Sequence, residues 1–598
     1  MLDEVETFAG ALKELGIKKG DVVLFYMPNI PAALIGFLAV NRLGAIHSAV
    51  FGGFAPRALA DRIEGCKPIA ILTASCGIEG TKPAIRYKPL VEEAVQMSTH
   101  KPDMTIVWQR NQAPWEPLVI ERNQICWQHI AGSARERGIK AACVPVKSSD
   151  PIYILYTSGT TGSPKGVQRD AGGHAVGLHF SASNLFNIKG AGDVIFAASD
   201  IGWALGHSYM LYCPLLVGAA TVVYEGKPVG TPDASAFWRI VEEYRVNILY
   251  TAPTSLRVIR RDDPSGLLQS NIGQRGGLRS LRSIFLAGEH AEPALVVSFQ
   301  RMLDEFGAPA SRVFDTWWTT EVGSPITGVA FNSHKSAAEG NQLIHGNCES
   351  PAPLGSAGKS LPGYDVCIVD DDGCEKEAGV LGNIVLRLPL APTALCTLWN
   401  DKERFYNAYL RRFNGLWMDT GDFGLKDANG YIYVMGRNDD LLNVSGHRLS
   451  NGAIEQAIAN HPLISESCVV GIPDLIKGEL PFAFVTFSSA VSASSPKVNG
   501  QMYTEIQSLV RQHVGPIATL AGVVQGAGII PKTRSGKILH QVLRELLTNA
   551  INCENHKEVT VPTTIEDINA VDAARKCLTE YFQGGVAKAD TSKDDFGA

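Results

Sequence analysis

The sequence predicts an α/β fold. We expect a large N-terminal domain with parallel, doubly wound sheets and a β-rich subdomain, then a small α+β C-terminal domain. Three observations point there. Short apolar strands alternate with helical patterns over the first half of the chain. From about residue 355 the texture turns to glycine-punctuated strands such as YDVCIVDDDG (364–373) and GNIVLRL (382–388). At GYIYVMGRNDDLLNVSGHRLS (430–450) it changes again, and strands and helices mix.

In order along the chain, Asp3–Leu15 sets Val5, Phe8, Ala9, Leu12 and Leu15 at helical spacing, and Gly16 stops the helix. DVVLFYM (21–27) reads as a buried strand, 30–43 as a helix and PIAILTAS (68–75) as the next strand. DVIFAAS (193–199), NILYTAP (247–253) and SIFLAGE (283–289) are further short strands ending in small or polar residues. Ligands of such sheets sit beyond the carboxyl ends of the strands. In the C-terminal part, strands are expected at 467–473 and 482–488 and helices at 452–460 and 503–513. A capping-box pattern, Thr563 to Glu566, suggests a last helix, and the final dozen residues are polar. The expected division is 1–437 (β-rich part about 355–437), 438–550, and an extension and tail over 551–598.

The 598 residues are too many for one core, and 45% hydrophobic with 19% charged suits a soluble globular chain. A net charge of −6 argues against a general nucleic-acid binder. Twelve scattered cysteines, none in a CxxC pair, read as free thiols in a reducing compartment. No apolar run reaches membrane-spanning length, and the acidic start MLDEVETFAG lacks a signal core or an Arg-rich leader. A cytoplasmic location follows, with a mitochondrial one kept open if the natural chain begins before Met1.

YTSGTTGSPKG (156–166) follows the apolar run 152–156. Its glycines at 159, 162 and 166 and its hydroxyls can wrap an anion with backbone N–H groups. It is not a Walker A loop, because Lys165 lies between Pro164 and Gly166 and no Ser or Thr follows it. A Gly/Ser-rich surface turn is the plain alternative.

Further stretches, in order, give the loop a context. They are DIGWALGHSYMLYCPLL (200–216), AGEHAEP (287–293), DTWWTTEVGSP (315–325), DTGDFG (419–424), GRNDDLLNVSGHRLS (436–450) and PKTRSGK (531–537). Together with the loop they resemble the motifs of the acyl-adenylate-forming superfamily over nearly the whole chain. DTWW, NVSGHR and PKTRSGK resemble its short-chain branch, the acetyl-/propionyl-CoA synthetases, and the whole looks most like the propionate enzymes.

The resemblance implies ATP, CoA and Mg2+ as the small molecules bound, with a short-chain carboxylate, and a mobile C-terminal lid. It implies that Thr157, Ser158, Gly159, Thr160, Thr161, Gly162 and Lys165 hold the phosphates, and that Gly288, Glu289 and His290 border adenine. Asp315, Thr316, Trp317, Trp318, Thr319 and Thr320 would lie at the adenylate, Asp422 on the ribose, and Arg437 and Arg448 near the nucleotide. Glu321 would be the metal ligand, since a hard cation beside phosphates needs carboxylate oxygen. Lys537 would bridge carboxylate and α-phosphate as the catalytic cation and would be open to acetylation. For CoA it implies Lys82, Trp203, Ser445, Gly446 and Arg511, and for the hinge Asp439. Ala204, Ala287 and Trp318 would line the acyl pocket: the tryptophan keeps it short, and alanines where acetate-selective relatives carry valine favour propionate.

This chain departs from the pattern at His290 (commonly Pro), Thr319 (commonly Gln) and Glu79 (commonly Arg). Taken by itself Lys537 reads as a solvated lysine, and either arginine as half of a structural ion pair. Acetate as main substrate, a homologue that loads a carrier protein, and a non-catalytic homologue remain as alternatives.

Overall fold

The computed structural model describes residues 1–80, 83–119, 121, 123–157, 164–289, 291–329, 352–438, 441–444, 447–474, 477–487, 500–533, 538–562 and 565–583. The chain divides into two compact units. One is Met1–Thr420 with Gly424–Val434, the other Gly421–Phe423 with Met435–Ala598.

The first unit holds two parallel sheets. The larger runs in the order Gln124–Cys126, Met104–Trp108, Ala70–Ala74, Val22–Met27, Ile46–Phe51, Pro151–Thr157, Lys165–Asp170. Val22–Met27 is central and buried at every position, which is why it reads as an unbroken apolar run rather than an alternating one. All its pairings are parallel except the last, where Pro151–Thr157 turns back antiparallel into Lys165–Asp170 with Thr157 opposite Lys165. The second sheet, Ala220–Thr221, Val194–Ala197, Ile248–Thr251, Ser283–Leu286, Arg312–Asp315, is parallel throughout. The expected helices at the start and at 30–43 form as Leu2–Glu14 and Pro31–Arg42. A four-stranded sheet, Val366–Val369, Gly382–Arg387, Trp417–Lys426, Ile432–Arg437, is the β-rich part expected from about residue 355.

The second unit is built on a mixed sheet in the order His447–Ser450, Leu441–Val444, Gly478–Phe487, Ile464–Asp474, with Gly522–Gln525 also pairing to Gly478–Phe487. Strand periodicity divides its core in two. Val469, Ala483 and Val485 join one cluster with Ile454, Ile458 and Ile506 from the helices Asn451–Ala459 and Gly500–His513. Cys468, Val470, Phe482 and Phe484 join another with Leu543, Leu547, Ala574 and Leu578 from the helices His540–Ile551 and Asn569–Gln583. The last helix thus begins at Asn569, not at the expected capping box. The carboxylate that meets its first N–H is Asp567, whose Oδ1 accepts from the Asn569 amide at 2.9 Å; Thr563 lies outside the described residues.

Candidate functional site

The glycine-rich loop joins two antiparallel strands, not a strand and a helix, which separates it from a Walker A loop in structure as well as in spelling. Its ends are held from outside. The Trp399 amide donates to Gly166 O at 2.8 Å and Arg404 Nη1 to Pro164 O at 3.2 Å. Arg404 is set by the helix Lys402–Tyr409, whose first turn is capped by Asp401 accepting from the Arg404 amide at 3.0 Å.

The same helix ends at Tyr409, which joins two expected site residues. Lys165 Nζ lies 4.5 Å from the Tyr409 ring centroid, and the Tyr409 hydroxyl donates to Glu321 Oε1 at 2.6 Å. The exit lysine of the loop and the expected metal ligand therefore meet on one buried phenol. Tyr409 was not singled out from the sequence. Nothing local marks it, because its partners lie 88 and more residues away.

The turn that carries Glu321 is held by Arg169, which is almost wholly buried at 1% exposure. Its guanidinium donates to the carbonyls of Thr320 at 2.6 Å, Glu321 at 3.2 Å and Val322 at 3.0 Å, and to that of Thr393. Gly323 adopts φ +78°, and a Cβ there would lie 2.7 Å from the Arg169 guanidinium carbon, so both conformation and space call for glycine. Sequence reading missed this arginine too, because its carbonyl partners lie 151 and more residues away.

Trp318 is fixed by a chain of hydrogen bonds. Its Nε1 donates to the Tyr250 hydroxyl at 2.7 Å, Tyr250 meets Thr316 Oγ1 at 3.0 Å, and Thr316 Oγ1 donates to Leu286 O at 2.7 Å. The indole is thus tied to the end of the strand Ser283–Leu286, whose next residue is Ala287. Ala204 is buried with Tyr153 and Leu155, and Trp318 packs against that cluster. Behind Tyr153 the rings of His47 and His207 stack at 5.2 Å. Burial holds the His207 imidazole at about 4, and holds His47 and His174 well below the usual histidine range. These three imidazoles are therefore uncharged at neutral pH, beside the Arg169 guanidinium that lies 3.3 Å from the Tyr153 hydroxyl.

Several expected ligand groups have structural work. The Thr316 hydroxyl is used in the chain just described, and Trp317 is buried in the core of the β-rich region. The Thr319 carbonyl accepts from the Val322 and Gly323 amides, which makes the turn. Glu289 accepts from the Thr254 amide at 2.6 Å, at the start of the helix Pro253–Asp262, and pairs with Arg257 at 2.6 Å. The Glu289 carboxylate is thus taken up in the fold. Trp203 is half-buried and lies 6.3 Å from Phe51, ring to ring. Desolvation pushes the carboxyl of Asp315 up to about 8 and that of Asp200 up to about 7, although backbone amides donate to both. Glu79 lies 3.8 Å from Lys227.

In the second unit Arg437 Nη1 lies 3.4 Å from Asp422 Oδ1. Its partner is the expected ribose carboxylate, but the pair is not the buried ion pair kept as the alternative for Arg437, whose side chain keeps 38% of its surface exposed. Gly421 adopts φ +73°, and a Cβ there would stand 2.6 Å from Arg437 Nη2. Arg511 is exposed on the helix Gly500–His513. Ser158, Gly159, Thr160, Thr161, Gly162, Lys82, His290, Asp439, Ser445, Gly446 and Lys537 lie outside the described residues, as does the side chain of Arg448.

Comparison with known proteins gives the family. Residues 1–391 match the model for an AMP-binding enzyme, and 453–537 the AMP-binding enzyme C-terminal domain. Acyl-CoA synthetase short-chain family member 3, mitochondrial, of Homo sapiens is 43% identical over 95% of this chain and 76% of that protein. Propionate–CoA ligase of Escherichia coli (strain K12) is 37% identical over 97% of this chain and 86% of that one. Among solved structures, acetoacetyl-CoA synthetase from Streptomyces lividans superimposes with a TM-score of 0.78 at 22% identity, covering 97% of this chain and 81% of that one.

Proposed function

The chain belongs to the AMP-binding enzyme family, and from that premise we propose that it is a short-chain acyl-CoA synthetase with propionate as its preferred acid. In this reading it is an AMP-forming acid–thiol ligase. A carboxylate is a poor electrophile because its charge is delocalised and oxide is a poor leaving group. Its oxygen attacks the α-phosphorus of ATP, pyrophosphate leaves, and the thiol of CoA then attacks the acyl-adenylate and releases AMP.

The observation that carries the reading is the meeting of Lys165 and Glu321 on Tyr409 at the root of a glycine-rich hairpin. A cation and an oxygen donor placed together there suit a polyphosphate and its counter-ion. Glu321 suits Mg2+: it is a hard carboxylate with one oxygen oriented by the Tyr409 hydroxyl. Bound there, the ion would neutralise phosphate charge and favour departure of pyrophosphate. Lys165 would grip the leaving phosphates, and Lys537 would stabilise the charge that develops between carboxylate and α-phosphorus. Thr320 would hydrogen-bond the α-phosphate, Asp422 the ribose, and Arg448 the nucleotide, with Lys537 entering and leaving on a lid hinged at Asp439. Trp203, Ser445, Gly446, Lys82 and Arg511 would receive CoA.

Choice of acid rests on the pocket wall. Trp318 is locked in place and excludes long chains, whereas Ala204 and Ala287 leave room for one more carbon than valines would. Kinship to a propionate–CoA ligase supports the same choice. A methylene in such a pocket contributes roughly 1–3 kcal/mol of discrimination. No helix among the described residues is long and apolar enough to cross a membrane. The human relative carries a mitochondrial name.

The deciding experiment is product analysis with ATP, CoA and a panel of C2–C5 acids, repeated with Lys537→Ala. Propionyl-CoA, AMP and pyrophosphate should form. The variant should lose adenylation yet still make thioester from preformed acyl-adenylate. A higher kcat/KM for acetate would sink the choice of acid, and absence of AMP would sink the reaction class.

A further inference from the structure

Three metal-ligating side chains that the chemistry above does not use meet in the second unit. Glu455 lies on the helix Asn451–Ala459, Cys468 on the strand Ile464–Asp474, and His540 opens the helix His540–Ile551. One ligand atom from each lies within 4.8 Å of the other two. Among the described residues this is the one such group of three.

The fold brings them together at a sheet edge. Ile464–Asp474 ends the strand order, so one row of its backbone groups faces away from the sheet. Glu455 covers that edge from the side of the first cluster, its Oε1 accepting from the Val469 amide at 2.7 Å. His540 comes from the helix packed on the other face, and its Nε2 lies 2.8 Å from the same Oε1. Cys468 stands between them and is fully buried. The Glu455 and His540 side chains keep 16% and 18% of their surface exposed, so solvent reaches one side of the group.

Thiolate, imidazole and carboxylate form a donor set suited to zinc-class ions. A tetrahedral ion with ligand distances of about 2.0–2.3 Å needs its donors roughly 3.3–3.8 Å apart. Donor atoms already within 4.8 Å reach that by side-chain rotation. Burial lowers the His540 imidazole, but Cys468 and Glu455 outweigh it and hold it well above the usual histidine range.

We propose that Glu455, Cys468 and His540 form a binding site for one zinc-class divalent cation, with a water as fourth ligand. Binding exchanges protons for metal. The ion enters, any proton held on His540 Nε2 or Cys468 Sγ leaves to solvent, and nothing is oxidised or reduced. Carboxylate, imidazole, thiolate and a dication sum to zero, so the bound ion leaves no net charge in the partly buried group. The bound ion would tie two helices to an edge strand.

The test is titration of the full chain with Co2+, then Zn2+. About one equivalent of Co2+ should give thiolate-to-cobalt absorption in the near ultraviolet and tetrahedral-intensity visible bands. Zn2+ should displace it, and binding should release protons. Cys468→Ser should abolish the near-ultraviolet band, whereas Cys553→Ser, at an exposed cysteine of the same unit, should keep it. Glu455→Gln, which keeps the shape of the side chain, should weaken binding about tenfold or more. Wild-type protein without the thiolate band would overturn the proposal, and this readout does not depend on any variant folding. So would a band that survives Cys468→Ser and disappears in Cys553→Ser.

Discussion

Tyr409→Phe removes one hydroxyl and leaves the ring on which Lys165 rests. The bond lost is the 2.6 Å donation to Glu321 Oε1, a hydrogen bond to a charged acceptor. Such bonds contribute about 1.5–3 kcal/mol. Tyr409 is 6% exposed, so water does not replace the hydroxyl from its own side. Glu321 is only half-buried and recovers part of its solvation, which places the effect near the lower limit. About 1.5 kcal/mol corresponds to a roughly tenfold effect. ATP–pyrophosphate exchange at varied ATP and Mg2+ should therefore show about a tenfold weaker apparent affinity for the magnesium–nucleotide complex. The ring contact to Lys165 persists, so the effect should pass through Glu321 alone. In a Glu321→Gln background, Tyr409→Phe should add little. A full tenfold effect in that background, or none in the wild type, would refute the assignment of Tyr409 as the residue that positions the metal ligand.

Three more outcomes follow from the same geometry. Ala204→Val adds two methyl groups to the buried cluster on which Trp318 packs and should shift kcat/KM from propionate toward acetate by about 1–3 kcal/mol; an unchanged ratio would separate Ala204 from the acyl pocket. The folded-state pKa of Asp315, about 8, lies above the ordinary carboxylate value, so the folded chain holds a proton that the unfolded chain gives up. Its contribution to the stability of the ligand-free protein is full below about pH 4 and is lost as pH rises toward 8. Asp315→Asn should flatten that slope and stabilise the protein at pH 8 by something on the order of a few kcal/mol in denaturant titrations. A wild-type profile with no such slope would contradict it. Arg169→Met leaves buried carbonyls without donors and should cost about 3–5 kcal/mol, read as a lower urea midpoint; a loss under about 1 kcal/mol would mean that the 319–323 turn holds itself.

How far the sequence could be read depended on the range of the interactions. Val22–Met27 was legible because a strand buried on both faces must be apolar throughout. The strands expected at 467–473 and 482–488 were legible for the same reason, since helices cover both faces of their middle residues. The loop could be told from a Walker A loop by Pro164 and Gly166 around Lys165, a matter of neighbours in the chain. Glu321 and Trp318 were named from a run of residues whose order survives without knowledge of the fold.

What tertiary structure alone decided is what those residues lean on. Tyr409, Arg169 and Tyr250 have ordinary sequence surroundings, and their partners lie 88, 151 and 68 residues away. Glu289 and Thr316 were named as nucleotide contacts, yet their side-chain oxygens hold a helix start and a strand end. Glu455, Cys468 and His540 come from three separated segments, and only the edge of a folded sheet makes them one group. Sequence by itself determined most of the elements, the family pattern and the candidate site groups, because periodicity and motif spacing are written along the chain. Folding decided the orientation of those groups, because hydrogen bonds and packing act across space, between residues that the chain keeps far apart.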